Sequence, residues 1–474
     1  MRNNKFYYRL LNTILAIILL FQTVGCGQND KKQDEPVKIE AMEEEKVIRY
    51  SFDAIGGPDV MPIIAFYGPA TSAHSYDGNS LPNYYTEEFM ELIAGTGINI
   101  IGYNSTDYNY YPKLVDTMLN YAENNGLGVI VNDSRITNTL YVEQLDEYIN
   151  DYSHYMAYCG NYIKDEPFHK EYRPTSQTGV SVEDFAELFS SMSELGYFGY
   201  GNLFPIGLGS DEAYDNYIAD FIRLCNPQYL SYDYYPFSEE NGLKSGEKYF
   251  KNIFVIRKAA EEANIPFSAF AQCGSQHNDD MKHFDTEGYY PQKGQFFWNV
   301  GTLLACGAKV IQYFTLIQPY YYAYSLTEPY DFQRNGMIGA FGNKTRWYYY
   351  AQEMNAQVAA VDHVLMNSVS KGVIASSDTV KAHMGEAASY LMEGTSWREL
   401  AGVTGDALVG CFNYQGKTAL YVVNYDMEYA QNITLDYVDT YNVTVIQNAE
   451  EQYLSGNKLK LTLSAGNSAL VVFE

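Results

Sequence analysis

The chain has 474 residues, with 31 lysines and arginines against 58 aspartates and glutamates, and its formal net charge is −27. So acidic a surface repels phosphate groups, which argues against nucleic acid and anionic membrane surfaces as partners and leaves neutral or cationic ligands open. The 47 tyrosines suit a protein that stacks flat faces such as those of sugar rings, although ordinary use of tyrosine in core and surface is the alternative.

The first 26 residues predict an export signal. A basic start precedes the apolar run LLNTILAIILLF, which is too short for an ordinary membrane span. The run ends in TVGC, which resembles the lipobox of bacterial lipoproteins, with Thr23 where that family usually has leucine. The resemblance implies a signal peptide over residues 1–26 and a lipid on Cys26, hence anchoring to the bacterial membrane or surface outside the cytoplasm. A plain signal peptide and an uncleaved anchor are the alternatives.

Three further segments follow the signal. Residues 27–50 are polar without apolar periodicity, which predicts a flexible tether. Residues 51–370 alternate eight β-like runs with amphipathic stretches, so we predict an α/β fold in which parallel strands and crossover helices close into a (β/α)₈ TIM barrel. An open doubly wound sheet is the alternative, but no glycine-rich phosphate loop follows the first run. Residues 371–474 carry short β-like runs and turn pairs, which predict a small antiparallel β-sandwich.

The eight runs of the predicted barrel begin at Pro62, Ile98, Leu127, Gly160, Phe198, Tyr229, Pro266 and Lys309. Active sites of this fold lie at the C-terminal ends of the strands. The side chains predicted to bind substrate there are Asp165, Tyr67, Asn104, Asn132, Tyr234, Tyr235, Gln272, Gln276, Gln312 and Tyr321. Histidines are scattered, and the five cysteines other than Cys26 form no CxxC pair, so neither a metal, a cofactor nor a disulfide framework is predicted.

The stretch GNYIKDEPF places two adjacent carboxylates, Asp165 and Glu166, where the fourth run ends. Adjacent residues on a strand point to opposite faces, so we expect one to meet the substrate and the other to make a supporting contact. A glutamate beside aromatic rings has a raised pKa and can donate a proton. The alternative is that Glu166 is an ordinary charge at a helix start.

The tripeptide DEP resembles the NEP signature of the large clan of (β/α)₈ glycoside hydrolases. The resemblance implies that Glu166 is the general acid/base, with Asp165 in place of the asparagine that binds the sugar 2-hydroxyl. It also implies a glutamate nucleophile at the end of the seventh strand. This sequence has FSAFAQCGSQ there, with Gln272 and Gln276 and no carboxylate.

The second carboxylate is therefore expected elsewhere, and Asp233 in SYDYYPF, at the end of the sixth run, is the best choice. Glu287, Glu328 and Asp331 in later loops are alternatives. SYDYY also resembles the sixth strand of chitinase-like barrels, but the fourth run lacks their spaced aspartates. The sequence predicts a glycoside hydrolase acting on an extracellular oligo- or polysaccharide. A non-catalytic glycan-binding lipoprotein on the same barrel is the second hypothesis.

Overall fold

The computed structural model describes residues 45–71, 75–76, 79–137, 142–172, 181–237, 245–274, 291–318 and 336–474. Lys46–Glu474 form one compact unit. The predicted residues Cys26, Gln276 and Tyr321, and the three loop carboxylates Glu287, Glu328 and Asp331, lie outside the described residues. Within the described ranges, none of the helices combines the length and the apolar character needed to cross a membrane.

Each of the eight predicted runs corresponds to one parallel strand, and the fourth strand begins two residues before its predicted run. They are β1 (Ile63–Ala65), β2 (Ile100–Ile101), β3 (Gly128–Val131), β4 (Tyr158–Asp165), β5 (Gly199–Asn202), β6 (Leu230–Tyr232), β7 (Phe267–Gln272) and β8 (Val310–Phe314). The strand order in the sheet is β5-β4-β3-β2-β1-β8-β7-β6. The two end strands meet through the Leu203 N–H, which donates to the Ser231 carbonyl at 2.8 Å. That contact closes the barrel.

Ten helices are described along the chain: α1 (Glu87–Ala94), α2 (Pro112–Asn124), α3 (Ser134–Thr137), α4 (Leu145–Asn150), α5 (Val182–Glu194), α6 (Asp211–Cys225), α7 (Gly246–Ala263), α8 (Lys293–Ala305), α9 (Arg346–Met366) and α10 (Asp378–Met384). Their starts follow local chemistry. Thr86 caps α1, Pro112 opens α2, and Ser181 and Asp184 form a capping box at α5. A short hairpin, Ser75–Tyr76 with Asn79–Ser80, lies between β1 and α1.

The C-terminal sheet has seven antiparallel strands: β9 (Ser368–Ala375), β10 (Leu400–Thr404), β11 (Ala407–Tyr414), β12 (Lys417–Asn424), β13 (Gln431–Gln447), β14 (Glu450–Leu463) and β15 (Ser468–Phe473). Among the short β-like runs of residues 371–474 are NITLDY and NVTVIQN, and both belong to the single long strand β13. Its first half pairs with β10 and its second half with β15, so β13 contributes to both layers around a separate apolar core. The predicted barrel followed by an antiparallel β-sandwich is confirmed. The sequence did not predict β10.

The barrel and the sheet meet at α8. Every residue of this helix from Gly294 to Ala305 is buried, so no face of it is left to solvent. Glycines allow the close approach, since a Cβ atom added to Gly410 of β11 would lie 2.3 Å from the Ala305 carbonyl oxygen. The five described cysteines are buried free thiols, as expected for small apolar side chains.

Candidate active site

An arc of aromatic rings covers the C-terminal ends of the barrel strands. Tyr162 of β4 lies 4.6 Å from Tyr103, centroid to centroid, and Tyr103 lies 5.6 Å from Tyr67. Phe314 follows at 5.5 Å from Tyr67, and Tyr235 at 5.5 Å from Phe314. All five rings are half-buried. The arc therefore presents flat apolar surface and phenol groups at the mouth of the barrel.

Two carboxylates complete the mouth on the side where β4, β5 and β6 end. Asp165 is the last residue of β4, and Asp233 directly follows β6. Asn202, the last residue of β5, lies between them. Its Nδ2 donates to Oδ1 of Asp165 and to Oδ1 of Asp233, each at 3.1 Å. A single amide group thus holds two acidic side chains together.

Hydrogen bonds from side chains in the barrel interior fix the orientation of the Asn202 amide. Its Oδ1 accepts a hydrogen bond from Ser231 Oγ at 2.7 Å, and Ser231 accepts one from Gln312 Nε2 at 2.6 Å. The Gln312 oxygen in turn accepts from the Tyr200 hydroxyl at 2.9 Å. Since Oδ1 of Asn202 is occupied, its NH₂ group must face the carboxylates. The predicted residue Gln312 therefore lies one layer below the mouth, in the buried interior of the barrel.

The environment favours a proton on this pair. Burial raises the pKa of Asp165, while the hydrogen bond from Asn202 and the charge of Lys164 oppose the shift. Burial and the nearby Asp165 carboxylate raise the pKa of Asp233 to about 7, again against the hydrogen bond from Asn202. Two buried like charges so close cannot both ionise easily, so the pair retains a proton near neutral pH.

Glu166 follows Asp165 in an unusual backbone conformation. Its φ angle is +47°, in the left-handed region, and its N–H donates to the Asn202 carbonyl at 2.9 Å. Burial raises the pKa values of the Tyr217 and Tyr235 hydroxyls, and the nearby Glu166 charge adds to both shifts. Tyr67 also has a positive φ angle, +61°. Non-glycine residues adopt this region rarely, and such positions cluster at functional sites.

Three other predicted binding residues lie around the mouth with different surroundings. Asn104 is fully buried, and its Oδ1 accepts from the Thr106 N–H at 3.1 Å. Asn132 is half-buried after β3. Tyr234 packs against Tyr249 of α7, with ring centroids 6.1 Å apart, whereas its neighbour Tyr235 joins the aromatic arc. The structure thus groups Tyr67 and Tyr235 with the carboxylates and directs Tyr234 toward the helix layer.

Gln272 ends β7, where the resemblance implied a nucleophile. Its Oε1 accepts from the Phe237 N–H at 2.9 Å, and its Nε2 donates to the Phe237 and Gly274 carbonyls at 3.2 Å each. The side chain is 2% exposed. Its amide is therefore engaged with the backbone of the loop that follows β6.

Sequence reasoning missed Asn202, Tyr103, Tyr162 and Phe314. Tyr103, Phe314 and Asn202 each stand at or just beyond a strand end, which is the position that identified the other site residues. Asn202 closes the run FGYGN, from which no site residue was predicted, so the same rule applied to all eight strands would have found it. In the described part of the chain, no group of three or more His, Cys, Asp or Glu side chains is placed to hold a metal ion.

The chain is similar in structure to a catalytic mutant of a GH42 β-galactosidase from G. stearothermophilus, with 9% identity over 90% of this chain and 100% of that one and a TM-score of 0.54. It is also similar to a family 51 α-L-arabinofuranosidase from Bifidobacterium longum, with 13% identity over 90% and 97% of the two chains and a TM-score of 0.49. No protein-family model and no curated protein sequence matches the chain. At 9% identity, the similarity to the GH42 β-galactosidase mutant supports the fold alone, and this fold agrees with what the DEP resemblance implied.

Proposed function

We propose that this protein is a glycosidase that cleaves an oligo- or polysaccharide at the mouth of the barrel. The observation that carries the proposal is the pair Asp165 and Asp233, held by one amide beside an arc of five aromatic rings. Hydrolysis of a glycosidic bond needs one carboxyl group that donates a proton and one that is ionised. Two carboxyl groups with a raised pKa, bridged by the Asn202 amide, supply both states near neutral pH.

The roles follow from the proton balance. Asp233, whose pKa is raised to about 7, donates a proton to the departing glycosidic oxygen. Asp165 attacks the anomeric carbon as an ionised nucleophile and forms a glycosyl ester, which water then hydrolyses while Asp233 takes up the proton. Glu166, the acid/base that the DEP resemblance implies, is the alternative donor. The aromatic arc, with Tyr67 and Tyr235, holds the sugar ring.

The spacing of the pair supports retention of anomeric configuration. Both Oδ1 atoms accept from one nitrogen at 3.1 Å, so they lie at most twice that distance apart. Inverting glycosidases place their carboxyl groups about 6.5–9.5 Å apart to admit a water, and retaining ones about 5–5.5 Å apart. The spacing of Asp165 and Asp233, which one amide joins, is therefore closer to that of the retaining enzymes.

The test compares wild type with Asp165→Asn, Asp233→Asn and Glu166→Gln on a panel of neutral oligosaccharides, with the anomer of the first product read by NMR. We expect Asp165→Asn and Asp233→Asn each to lose at least about a hundredfold in kcat/KM. Asp436→Asn is the matched control, because Asp436 forms only a surface ion pair with Lys458, 2.9 Å away.

Three outcomes would revise the assignment. If only Glu166→Gln is inactive, Glu166 is the proton donor. If wild type binds glycans and cleaves none, the protein is the non-catalytic glycan-binding lipoprotein. If it neither binds nor cleaves any, the carbohydrate proposal is wrong.

We further propose that the mature protein is a lipoprotein outside the cytoplasm, carried by a lipid on Cys26. The support is the sequence TVGC after a basic and apolar leader. Replacement of Cys26 by serine should move the full-length protein from the detergent phase to the aqueous phase in a Triton X-114 partition of bacterial cells. Equal partitioning of wild type and variant would contradict the lipid anchor.

A further inference from the structure

The C-terminal sheet packs only part of one face on the barrel. Tyr421, Ile446 and Leu470 on this face belong to the same apolar core as the barrel helices. Side chains two residues apart on a strand share a face, so Thr444 and Asn442 of β13 continue the face of Ile446. Across the strand pair, Thr444 is opposite Tyr453 of β14, and Asn442 is opposite Ser455. The sheet therefore carries a polar, tyrosine-bearing extension beyond the barrel contact.

This extension and the last turns of α9 enclose a cleft of about 640 Å³, which we call the sheet cleft. Its lining includes His363 from α9, Tyr414 and Lys417 at the β11–β12 turn, Asn442 and Thr444, Tyr453, and Glu474. The volume lies within the range of small-molecule sites, about 300–1,000 Å³. A helix that follows a barrel strand runs antiparallel to it, so the C-terminal turns of α9 lie at the end of the barrel away from the mouth. The sheet cleft is thus separate from the candidate active site.

The charges of the cleft argue against an anionic ligand. Lys417 is neutralised by Glu474, with Nζ 2.8 Å from Oε2, and Thr444 Oγ1 donates to Oε1 of Glu474 at 2.6 Å. Glu451 adds a further negative charge to the lining. Among the described residues of the lining, a phosphate or an acidic glycan would meet no unneutralised lysine or arginine. The chain as a whole carries a net charge of −27.

The exposed groups of the cleft combine a flat ring with short polar side chains. Tyr453 is 75% exposed, and Tyr414 is half-buried. Asn442 and Ser455 are exposed on the same face. A ring that stacks on an apolar face, flanked by amide and hydroxyl groups that bond to neighbouring hydroxyls, is complementary to a neutral sugar chain.

We propose that the sheet cleft is a second carbohydrate site, which binds a neutral oligosaccharide segment away from the barrel mouth. The choice of ligand rests on the proposed function, since the polysaccharide that the barrel mouth is proposed to cleave is the carbohydrate that this site would bind. Tyr453 supplies the stacking surface, and Asn442 and Ser455 supply the polar contacts.

The test is affinity electrophoresis of the full chain in gels containing a soluble neutral polysaccharide, such as a galactan, an arabinan or a xylan. The Asp233→Asn background keeps the polymer intact. We expect Tyr453→Ala to weaken retardation at least about tenfold in apparent Kd and Tyr453→Trp to retain it. Tyr429→Ala is the matched control, because Tyr429 is 68% exposed on the same domain and does not line the cleft. Thermal unfolding checks that every variant is folded.

The outcomes separate this proposal from the first one. Weaker binding by Tyr453→Ala alone supports the cleft even if wild type cleaves no glycan. Equal retardation of the Tyr453→Ala and Tyr429→Ala variants overturns the cleft proposal even if the barrel hydrolyses the polymer. Absence of retardation for all variants in all three gels also overturns it, as does retardation that persists in a gel without polysaccharide.

Discussion

Asn202 shows how one uncharged side chain can bring two acids together. Its amide has two N–H groups and one oxygen, and Ser231 occupies the oxygen. Both N–H groups are then available to Asp165 and Asp233, which would otherwise repel each other as buried anions. Asn202 is therefore a positioning residue, which acts on the proposed reaction through its neighbours.

Replacement of Asn202 by alanine should shift the pH dependence of kcat/KM to higher pH. The hydrogen bonds from Asn202 lower the pKa of Asp165 and of Asp233, so their loss raises both. The ascending limb, which needs ionised Asp165, and the descending limb, which needs protonated Asp233, then move in the same direction. Asn432→Ala on the exposed face of β13 is the control. An unchanged profile with reduced activity would indicate a purely structural role.

The Asp233→Asn variant should be more stable than wild type at pH 8, by up to about 4 kcal/mol, with no gain near pH 4. The pKa of Asp233 is about 7 in the folded protein and about 3.9 in the unfolded chain. The folded state therefore binds the proton more tightly, and wild type loses stability as the pH rises from about 4 through 7. Urea unfolding at both pH values measures the difference. A gain of equal size at pH 4 would contradict this origin.

At the residue scale, the sequence located the site residues that a local pattern marks. It missed the interactions that depend on residues distant in the chain. Asp165, Glu166 and Asp233 could be found because each follows a β-like run. The role of Asn202 could not, because it depends on the ends of three strands meeting in space. The hydrogen bond between Gln272 and Phe237 joins residues 35 positions apart. Neither segment has a sequence pattern that predicts it.

Among the elements, α9 ends on two buried contacts with the barrel strand that precedes it. Lys309, which is 5% exposed at the start of β8, donates through Nζ to the Ser368 carbonyl at 2.7 Å and to the Leu365 carbonyl. The last carbonyls of a helix have no partner within the helix and carry partial negative charge. Lys309 satisfies one of these carbonyls at the point where the barrel passes into the C-terminal sheet.

Replacement of Lys309 by methionine should destabilise the protein by about 1–3 kcal/mol at pH 6, because two buried carbonyl groups lose their donor. Burial and the charge of Arg49 lower the pKa of Lys309 to about 7, so below that pH the ammonium form is present. Chemical denaturation measures the change, with Lys460→Met at an exposed position of β14 as the control. A stabilised variant would mean that the buried charge costs more than its hydrogen bonds contribute.

The positions of the barrel strands were predictable because hydrophobic periodicity and turn residues act within a few positions of the chain. The continuity of β13 was not predictable, because polar residues around Asp439 interrupt the apolar pattern. In the structure, β14 pairs with both halves of β13 across a register shift. β10 was missed because LAGVT is short and contains glycine, and its pairing with β13 is what makes it a strand.

On the scale of the whole molecule, the C-terminal sheet completes the barrel. The helix α8 is buried on all sides, and the strands β11, β12 and β15 pack on it. An isolated barrel would expose the apolar side chains of α8 to water. We therefore expect the barrel and the sheet to unfold together.

Alanine at Gly410 tests this dependence, because its Cβ atom would lie 2.3 Å from the rigid Ala305 carbonyl oxygen. We expect a loss of about 1–3 kcal/mol and a single calorimetric transition at lower temperature. Gly402→Ala in β10 is the matched control, since the nearest atom to its added Cβ is Thr395 Oγ1 at 3.9 Å. Two separate transitions, with only one of them shifted, would show that the sheet is an independent unit.

The amide of Gln272 has a consequence for how this barrel could change over evolutionary time. Its nitrogen donates to two carbonyl groups and its oxygen accepts from one N–H, so the position needs a side chain with both functions. A glutamate there would lose the donor and place a negative charge against the oxygens of Phe237 and Gly274. A single substitution could not turn the end of the seventh strand into a nucleophile without releasing the loop that begins with Asp233. A glutamate at the end of the seventh strand would therefore cost this barrel stability, because two backbone carbonyl groups would lose their donor.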